Sequence, residues 1–301
     1  MLPSPSGALR LFRFAGITVF LHWSWFLIAL YQFTSRDGGY SSQAWNAAEY
    51  LSLFAIVLLH EFGHSLACRS VGGQSDQIIL WPLGGVAFVR PPHRPGAELW
   101  SIAAGPLVNV VLLLVLQVLD AVSRTQGWHW SAPDLARLIN AVWWINTGLL
   151  VFNLLPVYPL DGGQILRSLL WFLVGPARSL LVATSLGFVG VIGLVALALT
   201  RFSGNTLWTL LIAAFLLANC WRGFKQARAM LPVEKAPRRP GHACPGCRQS
   251  PPTGPVWLCQ QCRRPFDAFA TDGLCPHCSA HSDNVACPSC GEMHPIPRWR
   301  E

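Results

Sequence analysis

Charged side chains are scarce in this chain: Asp, Glu, Lys and Arg make up 12% of its 301 residues, while Ala, Val, Ile, Leu, Met, Phe, Trp, Tyr and Cys make up 52%. That balance excludes an ordinary soluble globule, in which about a quarter of residues are charged. Internal repeats are lacking too, as are low-complexity tracts beyond one proline-rich basic linker, which excludes a solenoid. What is abundant is apolar sequence in long runs. Runs near Ile17 to Phe33, Tyr50 to Cys68, Leu99 to Leu119, Leu138 to Val157, Leu180 to Leu199 and Leu207 to Trp221 approach the roughly 20 residues that cross a bilayer core. The expected fold is an all-α polytopic membrane protein with about six transmembrane helices. Ile165 to Val174 is too short to cross and is expected as a partial helix beside the fourth span. The first run starts well inside the chain and lacks a small-residue cleavage pattern, so no cleavable signal is expected.

Positive charge in the short loops sets the expected orientation. With a cytoplasmic N-terminus, the inner side carries Arg10, Arg13, Arg69, Arg90, Arg94, Arg167, Arg178, Arg222, Lys225 and Arg228, against Arg36, Arg124, Arg137 and Arg201 outside. Both termini are therefore expected in the cytoplasm, in a multi-pass protein of the cell membrane. The net charge of +8 has the same topological origin and is poor evidence for nucleic-acid binding.

Histidine and glutamate are rare within the apolar runs, which makes "IVLLHEFGHSLA", Ile56 to Ala67, stand out. On a helix His60 and His64 share one face a turn apart, close enough for both imidazoles to hold one metal ion, with Glu61 beside them. An ionisable residue at that depth is expensive and marks a functional site by default. A catalytic zinc takes a third protein ligand and keeps one position open. Beyond Glu61 the spans hold no glutamate except Glu49 and Glu98 at their ends, and His22 is the other intramembrane histidine. His22, between Leu21 and Trp23, reads as an interfacial anchor. Asp120 ends the third span on the outer side. Asp161, in "NLLPVYPLDGG", follows the fourth span at the same cytoplasmic depth as the histidines.

"HEFGH" at His60 to His64, "AGPLVN" at Ala104 to Asn109 and "NLLPVYPLDGG" at Asn153 to Gly163 together resemble the site-2 protease family of intramembrane zinc metalloproteases, as does "WPLGGVAFV" at Trp81 to Val89. The resemblance covers roughly the first 225 residues, without a PDZ module between spans or a cystathionine-synthase-like module after them. It implies His60, His64 and Asp161 as ligands of a catalytic zinc, and Glu61 as acid/base in hydrolysing membrane-anchored protein substrates. Asn153 is the candidate for contacting the substrate backbone or a developing oxyanion, or else a helix–helix hydrogen bond. The second role is the stronger expectation for Asn109 and Asn146. Pro156 and Pro159 break the fourth helix ahead of Asp161. Gln77 to Val89 alternates as two short strands around Pro-Leu-Gly-Gly, a small membrane-associated β-hairpin. Its edge is open to strand addition by an unwound substrate, or else is merely structural.

Composition changes after Trp221. The expected division is a membrane domain over 1–232, a proline-rich basic linker over 233–243, a zinc-ribbon domain over 244–290 and a tail over 291–301. Cys244-x-x-Cys247 with Cys259-x-x-Cys262, and Cys275-x-x-Cys278 with Cys287-x-x-Cys290, read as two sets of four thiolates, each for a structural zinc. They resemble a double zinc ribbon. Its arginines are offset by acids, so a protein contact is favoured over nucleic acid. Cys68 and Cys220 read as packed residues. Two other functions fit parts of the sequence: a metal-binding scaffold or transporter without hydrolysis, and a membrane-anchored zinc-ribbon adaptor. The first leaves Glu61 without a role, and the second leaves the whole intramembrane cluster without one.

Overall fold

The computed structural model describes residues 7–27, 29–30, 39–81, 84–201 and 206–300. Residues 28 and 31–33 of the first expected span, Arg36, and Pro82 and Leu83 of the expected turn lie outside them. The described residues form two compact units, one of Met1–Leu173 with Ala183–Cys220, the other of Val174–Val182 with Trp221–Glu301.

The first expected span begins as a strand. Strands β1 (Ala8–Phe14) and β2 (Ile17–His22) form an antiparallel hairpin, joined by Ala15 and Gly16 with φ of 46° and 76°. Both torsions lie in the left-handed region that two-residue hairpin turns use. The β2 strand then pairs in parallel with β3 (Gln74–Trp81), which pairs antiparallel with β4 (Gly84–Arg90), in the order β1-β2-β3-β4. The expected hairpin over Gln77 to Val89 is thus half of a four-stranded sheet. A hydrophobic run does not by itself separate a buried strand from a helix. Here the β-branched Ile17, Thr18 and Val19, placed after an Ala-Gly turn, favour the strand.

Helix α1 (Gln43–Ser70) lies against this sheet, and Val57 packs with Ile17, Val19, Trp25, Ile78 and Leu80 in one buried cluster. At its C-terminal end Arg69 ties helix to sheet. Its guanidinium donates to the carbonyls of Ala15, Gly16 and Ser75. Helix α2 (Pro95–Thr125) crosses α1 closely at Gly63, where a Cβ would lie 2.7 Å from the Ala104 carbonyl oxygen and 2.9 Å from Val108 Cγ2. A single turn at Trp128–Ser131 leads to α3 (Pro133–Leu154), then α4 (Asp161–Val174), α5 (Pro176–Arg201) and α6 (Thr206–Lys235).

Four helices among the described residues are long and apolar enough to cross a membrane: α1, α2, α3 and the Pro176–Ala196 part of α5. Helix α6 contains the sixth expected run but is not among them. Helix α4 has 14 residues and is the expected partial helix. Leu114, Val118, Val151 and Val189 keep more than half of their surface uncovered, which suits helices whose outer faces meet lipid.

In the second unit, β5 (Trp257–Leu258) pairs with β6 (Pro265–Phe266) and β7 (Asn284–Ala286) with β8 (Met293–Pro295). Trp257, Phe266, Val285, Ile296 and Trp299 pack around the cysteines as its core. Residues on both flanks join this unit. Arg239 N–H donates to Pro251 O (2.8 Å), Thr253 N–H to Pro237 O (2.8 Å) and Ala243 N–H to Trp299 O (2.7 Å).

The close crossing at Gly63 yields a prediction. Gly63→Val forces two γ-carbons into the Ala104 backbone and is expected to cost about 1–3 kcal/mol by overpacking. A thermal midpoint in detergent equal to that of the unmodified protein would contradict it.

Candidate metal centres and active site

Helix α1 places His60, Glu61 and His64 in the interior, with relative exposures of 6%, 6% and 7%. The two imidazoles are held by their inner nitrogens. His64 Nδ1–H donates to the Ser101 carbonyl at 2.9 Å, which has no proton to give. His60 Nδ1–H donates to Asn109 Oδ1 at 2.6 Å. The orientation of that amide is itself fixed, because Asn109 Nδ2 donates to Asn146 Oδ1 (2.8 Å) while Asn146 Nδ2 donates to Asn109 O (2.9 Å). With both Nδ1 atoms protonated, each neutral ring turns an Nε2 lone pair inward, and the two Nε2 atoms stand 3.0 Å apart.

Asp161, the first residue of α4, completes the cluster. Its Oδ2 lies 3.1 Å from His60 Nε2 and 3.5 Å from His64 Nε2, and is buried without a hydrogen-bond partner. Two glycines follow it in the first turn of α4. A Cβ on Gly162 would strike the Leu154 backbone, and one on Gly163 the Val157–Tyr158 backbone. Gln164 Nε2 donates back to Pro159 O at 2.8 Å. Gly105 of α2 clears the opposite side, since a Cβ there would collide with His64 Nε2.

Two imidazole nitrogens and a carboxylate oxygen within 4.8 Å of one another, turned toward a common point, are a donor set suited to one cation. They fit zinc, which takes two histidines and a carboxylate in catalytic sites and leaves a fourth position open. Their outer partners match as well, because ligand imidazoles donate their second N–H to a carbonyl or carboxylate. Glu61 lies beside this set and is not part of it. Its Oε2 accepts from Ala87 N–H on β4 at 2.8 Å, and the carboxylate lies where a Cβ on Gly85 would be.

The remaining expectations resolve one by one. Asn109 and Asn146 do join α2 to α3, but Asn109 also orients His60, a role that an amide in a span does not announce. Asn153 is half-buried on the last turn of α3 and is outside the donor cluster. His22 is a strand residue stacked on Trp81, with ring centroids 4.2 Å apart. Cys220 is buried, its thiol donating to Tyr158 O at 2.9 Å.

The chain resembles known proteins over the segment that builds this cluster. The model of peptidase family M50 matches residues 48–129 and 126–197. The membrane part of the chain belongs to peptidase family M50. A zinc metalloprotease of Methanocaldococcus jannaschii is 34% identical over 186 residues, which is 60% of this chain and 50% of that protein. The stage IV sporulation protein FB of Bacillus subtilis is 34% identical over 118 residues, 38% of either chain. The solved structure of a site-2 protease from Methanocaldococcus jannaschii aligns with a TM-score of 0.51 and 26% identity, covering 72% of this chain and 95% of that one. The chain spans between half and three fifths of the length of the first curated relatives it matches. The M50 segment holds His60, Glu61, His64, Asn109, Asn146 and Asp161, and ends before the Cys-x-x-Cys pairs.

In that unit the thiolates pair otherwise than expected. Cys244 and Cys247 meet Cys287 and Cys290, while Cys259 and Cys262 meet Cys275 and Cys278. The second set is nested inside the first, so the sequential pairing is corrected. All four Cys-x-x-Cys turns share one geometry. The residue after each second cysteine (Arg248, Arg263, Ser279, Gly291) has positive φ and donates its N–H to the first cysteine's carbonyl at 2.8–2.9 Å. Facing sulfurs lie 3.6–3.7 Å apart. Four sulfurs about 2.3 Å from one tetrahedral zinc stand about 3.8 Å apart, so the spacing fits the ion. The N–H groups of Cys262 and Gln261 pull the Cys259 thiol down to about 6. Although the Ala280 N–H favours its thiolate, loss of water and the neighbouring sulfurs push Cys278 up to about 12. A divalent cation relieves that crowding of like charge.

Nesting predicts a metal count. Cys247→Ser with Cys287→Ser should remove one zinc per chain, since both belong to one site; sequential pairing would remove two. Elemental analysis of the purified double variant decides between them.

Proposed function

We propose that the chain is an intramembrane zinc metalloendopeptidase, which cuts membrane-anchored proteins within or near the bilayer. His60, His64 and Asp161 would hold its catalytic zinc, and the two nested cysteine sets one structural zinc each. The observation that carries this is the meeting of two inward lone pairs and an unpartnered carboxylate oxygen, with a separate carboxylate, Glu61, alongside. A scaffold or transporter needs the first three groups but not the fourth. The relatives' names support peptide hydrolysis independently.

When bound, zinc supplies a Lewis acid that polarises the scissile carbonyl and lowers the pKa of attacking water to about 7. Glu61 takes the proton as the water oxygen bonds to the carbonyl carbon, and returns it to the nitrogen as the C–N bond breaks. The Ala87 N–H holds Glu61 Oε2 and so fixes the carboxylate for both transfers. The β4 strand ends the sheet order, so its outer edge can accept an unwound substrate in extended form, as a helical one hides its carbonyls. Asn153 would contact that substrate's backbone or a developing oxyanion. The loop arginines favour both termini in the cytoplasm, where the ribbons would contact protein.

Glu61→Gln removes the proton carrier and no ligand. It should lower cleavage of a single-span substrate by at least about a hundredfold, within the range general acid–base catalysis contributes. Zinc should stay at three per chain, and Asp161→Ala should lower it to two. Wild-type turnover by Glu61→Gln would sink the mechanism.

A further inference from the structure

Helix α2 serves the cluster through one stripe of residues. Ser101 holds His64, Gly105 clears both rings, and Asn109 holds His60. One turn before Ser101, on the same stripe, stands Glu98, which the proposed chemistry does not use. Its carboxylate faces the other helix that matters, α4. Arg167 Nη1 lies 3.3 Å from Glu98 Oε2, and the two side chains are 17% and 13% exposed. His93 Nδ1 stands 3.6 Å from Glu98 Oε1. Around this pair, the Arg167 guanidinium lies 5.8 Å from the Trp171 ring centre, and the His93 ring lies tilted against Trp171 with centroids 4.6 Å apart. The helices come near each other here, since a Cβ on Gly96 would lie 3.8 Å from the Phe172 ring.

We propose that Glu98 and Arg167 are positioning residues, a clasp between α2 and α4 that sets where Asp161 meets the two histidines. Asp161 opens α4, and Arg167 follows on the same rigid helix about 9 Å along its axis. The two imidazoles take their orientation from α2. The third donor sits on a separate, short helix, reached from α3 through residues 155–160. Without a link between α2 and α4, the carboxylate oxygen would be free to drift from the 3.1 and 3.5 Å contacts it makes. The ion pair supplies that link halfway along α4, about two turns from Asp161 at its start. Mostly covered from water, it is screened less than an exposed pair. An unlinked alternative assigns Glu98 only to the first turn of α2, where a carboxylate favours the helix dipole. That role involves neither Arg167 nor the metal.

The inference rests on Asp161 being a ligand, and the experiment separates the two. Full-length protein is equilibrated with zinc buffers, and cluster zinc is taken as total zinc less the thiolate-bound part that Asp161→Ala retains. For Arg167→Met and Glu98→Gln, the free zinc giving half occupancy should rise about 10- to 100-fold, the effect of losing an outer partner of a ligand. The double variant should be no weaker than either single one, because both remove one interaction. Arg167→Lys, which keeps a cation opposite Glu98, should bind zinc like the unmodified protein and so shows that folding is intact. Unchanged zinc affinity in the two single variants, additive losses in the double, or no rescue by lysine would overturn the clasp. Wild-type zinc content in Asp161→Ala would overturn the ligand set itself.

Discussion

Two neutral imidazoles with lone pairs 3.0 Å apart repel, and an apolar interior screens that repulsion little. The membrane part is arranged to keep them so. The Ser101 carbonyl and the Asn109 amide take the Nδ1 protons, which denies the rings the tautomer that would let one donate to the other. Asn146 denies Asn109 the flip that would undo this. Gly105 and Gly63 let α2 come near enough to do it. The frustration is local and stable because each alternative has been closed by a hydrogen bond or by backbone. Such a site is preorganised for a cation, and less of the binding energy goes into ordering its ligands.

Much of this site was legible in the sequence, because helical spacing puts residues four apart on one face whatever surrounds them. His60, His64 and Glu61 needed only that rule. Asp161 needed topology as well, since the order of the apolar runs brings the end of the fourth to the same level as the histidines, where the three meet. The second layer was not legible. Nothing in "AGPLVN" distinguishes an asparagine that joins two helices from one that also steers a histidine, since both need only a buried amide. Glu98 looked like an end-of-span carboxylate for the same reason: its partner is 69 positions away by sequence number, as 167 less 98, and on another helix.

Hydropathy failed where a strand imitates a span. Ile17 to His22 is as apolar as a helix that crosses lipid, but its neighbours are β1 and β3. The clue was small, an Ala-Gly turn with two left-handed torsions, and Ala15 is an unusual residue for such a place. The correction matters for the chemistry, since β2 supports β3, β3 supports β4, and β4 holds Glu61. A strand read as a lipid-facing helix would have left Glu61 without its scaffold.

Nested thiolates also impose an order in time. The inner set joins sulfurs whose nearest pair is 13 residues apart, the outer set joins a pair 40 residues apart. Closing the longer loop costs about 1 kcal/mol more chain entropy, by the logarithmic dependence on length. During synthesis the inner four cysteines are also complete while Cys287 and Cys290 are still unmade. Metallation can therefore proceed from the inside outward, each closed loop shortening the next. With one zinc in each set, the outer pairs would then be the last to become rigid.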